Sequence, residues 1–166
     1  MPLHVDDVQT AAGAELDLSD LPGRVTIALA AHKLGGPRGV GAVIGSGVQS
    51  LDPIVFGGGQ ESGLRPGTED VAGAVALAAA LRIRQGSEAP AERIRRAALR
   101  DDLEARLALP VVGVKVERLP GHALLLTGYR GDTIVRLFDE RGIAISAGSA
   151  CASGETLPDA TLTAMD

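Results

Sequence analysis

The chain has 166 residues, a length that suits one ordinary domain or two small ones and leaves room for a real core. Apolar residues make up 45% and charged residues 22%, the balance of a soluble globular protein rather than a disordered one. A formal net charge of −5 argues against a general nucleic-acid binder, and with no apolar run of membrane-spanning length and no secretion signal the expected compartment is the cytoplasm.

Leu3–Val5 and Val25–Leu29 read as short buried strands, the second set up by the turn residues Pro22 and Gly23. Ala42–Ile44 reads as a third strand, bounded by glycines. Half of the 22 glycines fall between Gly35 and Gly67, so that stretch is expected to be mostly loop. Thr68-Glu69-Asp70 then offers a cap and two acids for a helix from Val71 to about Arg84, apolar almost all round through Leu81 and so expected to be buried. Gln85-Gly86-Ser87 and Pro90 interrupt it. A second helix is expected from Ala91 to Leu109, with Ile94, Leu99, Leu103 and Leu107 on one face. The break between them is taken as a domain boundary.

Val111–Glu117 and Ala123–Thr127 look like two strands joined by the turn Leu119-Pro120-Gly121. Asp132 offers an N-cap for a helix carrying Ile134, Leu137 and Phe138, and Gly142 fits its C-terminal stop. Ile143–Ser146 reads as a last strand before a loop of small residues, Ala147–Gly154, and Leu157–Met165 can begin a further helix.

Four segments can carry chemistry. Lys33, at the end of a buried strand and before a glycine-rich turn, can act as an amine nucleophile once it loses hydration, although a surface lysine on a tight turn fits the same residues. The run from His32 to Gly41 matches neither the nucleotide P-loop nor the dinucleotide fingerprint. Asp6 and Gln9 follow the first strand, where a carboxylate is placed to hold a protonated ring nitrogen and an amide to reach a ring hydroxyl. Solvated loop residues are the alternative. Gly57 to Thr68 can bring backbone amides and the Thr68 hydroxyl to an anion, or can simply connect two elements. Cys151, the single cysteine, excludes an internal disulfide, and its small neighbours favour an exposed thiol over a buried one. Of 16 basic residues all but Lys33 and Lys115 are Arg. The Arg93, Arg95, Arg96 and Arg100 cluster is offset by Glu92, Asp101, Asp102 and Glu104, as on a solvated helix face.

In order and approximate spacing, Asp-x-Val-Gln at Asp6, His-Lys-Leu-Gly-Gly-Pro-x-Gly-Val-Gly at His32, Gly-Gly-Gly-Gln-Glu-x-Gly-Leu-Arg-x-Gly-Thr at Gly57 and Ser-Ala-Gly-Ser-Ala-Cys ending at Cys151 resemble the cysteine desulfurases. These belong to the class V aminotransferase-like enzymes that use pyridoxal 5'-phosphate (PLP). The resemblance implies an α/β fold: the end of a PLP-dependent fold type I large domain over residues 1–85, then a small α+β domain over 86–166, with chain missing at both ends. It implies that Lys33 links to PLP as a Schiff base and moves the substrate proton. Asp6 would pair with the pyridinium nitrogen, Gln9 would touch the ring oxygen, His32 would help hold the phosphate, and Thr68 would serve a phosphate site, commonly that of the other subunit of a homodimer. Cys151 would take sulfur from L-cysteine as a persulfide, leaving alanine, and pass it to an iron–sulfur scaffold or another acceptor protein. No metal is implied at the site.

Three positions depart from the family pattern. Ala30 stands where Ser or Thr usually donates to the phosphate, a contact of about 1.5–3 kcal/mol for a charged hydrogen bond. Asp7 stands where Ala is usual and His122 where Asn is common. The alternatives to a desulfurase are a selenocysteine lyase or another class V aminotransferase-like enzyme, and a non-catalytic remnant that binds a partner protein.

Overall fold

The structure, a computed structural model, describes residues 1–15, 17, 19, 23–148, 162 and 164. The Cys151 loop from 149 onward, Pro22 and most of the expected helix at 157–165 lie outside the described residues. The chain divides into two compact units, Met1–Ala98 with Leu119–Gly121, and Leu99–Arg118 with His122–Asp166.

The first unit is α/β. Strands β1 (Leu3–Asp6), β2 (Val25–Ala30) and β3 (Gly41–Ile44) form a sheet in that order, with β1 parallel and β3 antiparallel to β2. The register sets Asp6 opposite Ala28 and Ala30 opposite Gly41. β2 is the central strand because Val25, Thr26, Ile27 and Leu29 suit a strand covered on both faces; all four are buried. At Gly41 a Cβ would lie 2.5 Å from the Leu29 carbonyl oxygen, so only glycine lets β3 start so close to β2.

One helical turn, α1 (Ala31–Leu34), follows β2 directly and ends at Gly35, whose φ of +94° is the left-handed stop that glycine adopts without strain. α2 (Val71–Arg84) packs on α1. Leu77 and Ala80 join Val25, Ile27, Leu29, Ala31 and Leu34 in one aliphatic core. The expectation that α2 is buried all round is corrected, because one face of a helix suffices to cover this core. Val71, Val75 and Ile83 on its other faces are 68%, 63% and 75% exposed. Its cap also differs: Asp70 accepts from the Gly73 N–H at 2.9 Å, so Thr68 lies two residues before the cap.

α3 (Ala89–Leu107) starts two residues earlier than expected. Pro90 is accommodated in its first turn, where a missing N–H costs no helical hydrogen bond. In the second unit, α4 (Gly131–Asp139) has Arg130 rather than Asp132 at the N-cap, and Asp132 instead bonds the Thr133 N–H at 2.7 Å from within the first turn. Gly142, at φ +71°, follows the helix as expected. The two strands expected at 111–117 and 123–127 reduce to one antiparallel bridge, Val111 with Leu125. Ile143–Ser146 forms no strand, since no described segment pairs with it and the Ile143 N–H is taken by the Phe138 carbonyl at 3.0 Å. Among the described residues no helix is long and apolar enough to cross a membrane.

Candidate active site

Parallel pairing of β1 and β2 sends both strands to the same edge of the sheet, and the residues that leave that edge are the ones the sequence singles out. Asp6 is the last residue of β1 and is exposed; its Oδ1 accepts from the Val8 N–H at 3.2 Å. The chain then turns through Gln9, which sits at the N-cap position of a short 3₁₀ turn, Thr10–Ala12. That turn packs against α1. His32 and Lys33 lie on α1, both exposed, while Ala31 and Leu34 on the same turn are buried and fix it to the core. An amine, a carboxylate, an amide and an imidazole are thus carried by neighbouring elements at one sheet edge. Lys33 is exposed, so the loss of hydration that a nucleophilic amine calls for is not supplied by burial in this structure.

Backbone geometry holds the edge in place. The Asp7 N–H donates to the Ala28 carbonyl at 3.1 Å and the Ala31 N–H to the Val40 carbonyl at 3.1 Å, so the segments leaving β1 and β2 stay tied to the sheet. Arg84, from the end of α2, donates through Nε to the Leu34 carbonyl at 2.9 Å and so braces the last residue of α1. Ala30 occupies the N-cap of α1 with no side-chain hydrogen bond, where a hydroxyl would have one to offer.

Thr68 is not brought to this group by any hydrogen bond among the described residues. It is exposed on the approach to α2. In the glycine-rich segment before it, the Gly67 N–H donates to Gln60 Oε1 at 3.3 Å, and Arg65 bonds the Pro66 carbonyl, so part of the polar capacity of this loop is used internally. Glu61 and Ser62 adopt left-handed φ values of +49° and +58° within the 3₁₀ turn Gln60–Gly63. Cys151 lies outside the described residues.

Two residues at the edge were not singled out for a role by sequence. Asp7 is buried, and burial pushes its carboxyl up from the ordinary Asp range, the Thr10 side-chain hydrogen bond pulls it down, and neighbouring Asp6 pushes it up again. Its place beside Asp6, where the resembled family has Ala, was the available signal. Gln85, at the C-cap of α2, donates through Nε2 to the carbonyls of Ala11 at 3.2 Å and Ala14 at 3.1 Å. Nothing local in the sequence distinguishes it from a helix-ending residue.

The side chains at this edge are of the kinds PLP takes: Lys33 carries an amine, Asp6 a carboxylate, Gln9 an amide and His32 an imidazole. Comparison with known proteins shows the family. The family model described as aminotransferase class-V matches residues 1–163. The "IscS-like cysteine desulfurase" of Mycobacterium tuberculosis is 37% identical over 99% of this chain and 43% of its own length. Among solved structures, the NifS-like protein from Rickettsia africae superimposes with a TM-score of 0.79 at 28% identity, covering 88% of this chain and 41% of its own. A structure described as SspA in complex with cysteine gives 0.65 at 27% identity, covering 99% and 46%. The α/β architecture matches part of the fold type I PLP domain of the NifS-like structures, and the chain spans about two fifths of the curated relatives' length.

Proposed function

We propose, because the chain belongs to the aminotransferase class-V family, that it is the lysine-bearing and cysteine-bearing part of a PLP-dependent cysteine desulfurase. What supports this reading most is the common sheet edge that receives Asp6 from β1 and Lys33 from the turn after β2. Residues 1–85 belong in this reading to the large domain and 86–166 to the small one. Family members named cysteine desulfurase, and the neighbour described with cysteine, support L-cysteine as the substrate.

Lys33 would hold the cofactor through Nζ and move a proton to and from the substrate carbon. Asp6 would keep the proton on the ring nitrogen, Gln9 would donate to the ring oxygen, and His32 would bond the phosphate. Bound PLP supplies an electron sink that stabilises negative charge next to the substrate nitrogen. Thr68 would serve the phosphate site of a partner subunit, which makes the enzyme a homodimer. Cys151, as thiolate, attacks the sulfur of L-cysteine: the S–S bond forms and the C–S bond breaks. The electron pair stays with the carbon, which takes up a proton, so one cysteine becomes one alanine and the Cys151 thiol becomes a persulfide. The persulfide passes to an acceptor protein of the iron–sulfur scaffold kind in the cytoplasm.

The test uses the two lysines as each other's control. The chain is treated with PLP and borohydride, alone and mixed with the N-terminal remainder of the mycobacterial relative, then digested and mapped by mass. Label concentrated on Lys33 over Lys115, with alanine and a persulfide at Cys151 appearing when L-cysteine replaces the reductant, is the expected result. Equal labelling of the two lysines in both samples overturns the reading.

A further inference from the structure

The turn that carries Gln9 is closed by two backbone bonds of its own, the Gly13 and Ala14 N–H groups donating to the Thr10 carbonyl at 2.8 and 2.9 Å. Thr10–Ala12 is a single 3₁₀ turn, a conformation with poor hydrogen-bond geometry, and Gln9 makes no side-chain cap bond to it. Those bonds close the turn but do not tie it to the sheet or to α2; such ties come from two residues outside it, Asp7 and Gln85. From the strand side, the Asp7 carbonyl accepts from the Ala11 N–H at 3.0 Å, and the Asp7 carboxylate accepts from the Thr10 side chain. From the helix side, Gln85 Nε2 donates to both the Ala11 and the Ala14 carbonyls.

Burial of Asp7 sharpens its meaning. It is 8% exposed, and with Thr26 it makes up the buried polar side chains among the described residues. A carboxylate taken out of water costs free energy unless it is hydrogen-bonded, so an apolar residue would be the cheaper filling. The carboxylate is used instead to tether the turn. Gln85 arrives from 74 residues further along the chain, so neither half of the clamp depends on the other's local sequence.

We propose that Asp7 and Gln85 are positioning residues that clamp the 8–14 turn from opposite sides and thereby present Gln9 and Asp6 at the sheet edge beside Lys33. The inference rests on the PLP reading of that edge. Neither residue touches the cofactor in this account; both act through the backbone of the turn.

The variants are Asp7→Ala, Asp7→Asn and Gln85→Glu. The readouts are the ratio of borohydride-trapped PLP at Lys33 to that at Lys115, and amide hydrogen exchange across residues 8–14. Asp7→Ala removes the acceptor, and Gln85→Glu removes the donor at equal size. Both should lower the labelling ratio by roughly tenfold, the scale of a small misplacement of a binding group, and speed exchange in the turn. Asp7→Asn keeps an oxygen that can accept from Thr10 and should restore both readouts toward wild type. Because Gln85 lies outside the sheet, Gln85→Glu carries the test if Asp7→Ala does not fold. Unchanged exchange at 8–14 in both loss variants overturns the clamp, and an unchanged labelling ratio despite faster exchange overturns its positioning role. A wild-type chain that labels Lys33 and Lys115 equally in both samples counts against the PLP reading instead, and the exchange result still judges the clamp.

Discussion

β2 in the first unit and the 111–126 stretch, which belongs to the second unit except for Leu119–Gly121, are both rich in aliphatic residues, and the contrast between them shows what turns such a segment into a framework for a site. β2 has a hydrogen-bonded partner on each side, and four of its six residues are buried apolar or threonine side chains. The 111–126 stretch meets itself once. The Val112 N–H donates to the Leu124 carbonyl at 2.9 Å and the Leu126 N–H to the Pro110 carbonyl at 2.8 Å. Then Gly113, at φ +81°, turns the chain back and the Val116 N–H bonds the Gly113 carbonyl at 3.2 Å, which ends any ladder. Val114 and Val116 are exposed beyond that point. Apolar composition supplies the potential for a strand, but partners on both edges and cover on both faces make it rigid, and only the rigid case can aim Asp6 and Lys33.

The contrast breaks most severely at Leu29. It is 4% exposed, and Leu29→Ala should cost about 2–5 kcal/mol in urea unfolding, as for other buried leucines cut to alanine. Leu125→Ala, at a half-buried bridge residue, should cost under about 1 kcal/mol by the same measurement. Equal losses at the two positions would mean that the second unit has a core comparable to the first.

A smaller effect separates the two readings of the α2 start. Asp70→Ala removes the acceptor of the Gly73 N–H and should lower stability by about 0.5–2 kcal/mol, the usual range for a lost N-cap. Thr68→Ala should leave the unfolding midpoint unchanged, because Thr68 precedes the cap. A drop at Thr68 equal to that at Asp70 would restore it as the capping residue.

How much of this was legible beforehand follows from the same physics. β1, β2, β3 and α2 were readable to within a residue or so because each is short-range: β-branched residues between turns, or an apolar run between a cap and a glycine. That Asp6 and the turn carrying Lys33 leave the same end of the sheet has no local signal, since it depends on a parallel pairing across more than twenty residues. Asp132 and Thr68 misled for a shared reason. Both are good capping types, and which of several polar residues caps a helix depends on where the helix begins, a boundary set by packing. Val111–Glu117 misled because a strand exists only with its neighbour. The tie from Gln85 to Ala11 and Ala14 had no sequence signal at all.

The least effect is expected at a feature the two regions share, exposed ion pairs on their helices. Arg95 and Arg96 hold the Glu92 carboxyl on α3 down at about 2, each through a hydrogen bond to it. Arg130, then the Thr133 N–H, hold Asp132 on α4 down at about 2 as well. A carboxyl depressed on folding contributes stability that is fully present above its unfolded value and is lost as pH falls through the folded one. For both residues the window runs from the ordinary carboxylate range near pH 4 down to about 2. Because both pairs are solvated, salt screens them, and their contribution to stability is small. Carbon-detected NMR titration should therefore find both midpoints near 2 at low salt and higher in concentrated salt. Arg95→Gln should raise the Glu92 midpoint and leave that of Asp132 where it was. Midpoints that ignore both salt and the Arg95 substitution would show that the pairs do not persist in solution, and the units would then differ in their sheet edge and core alone.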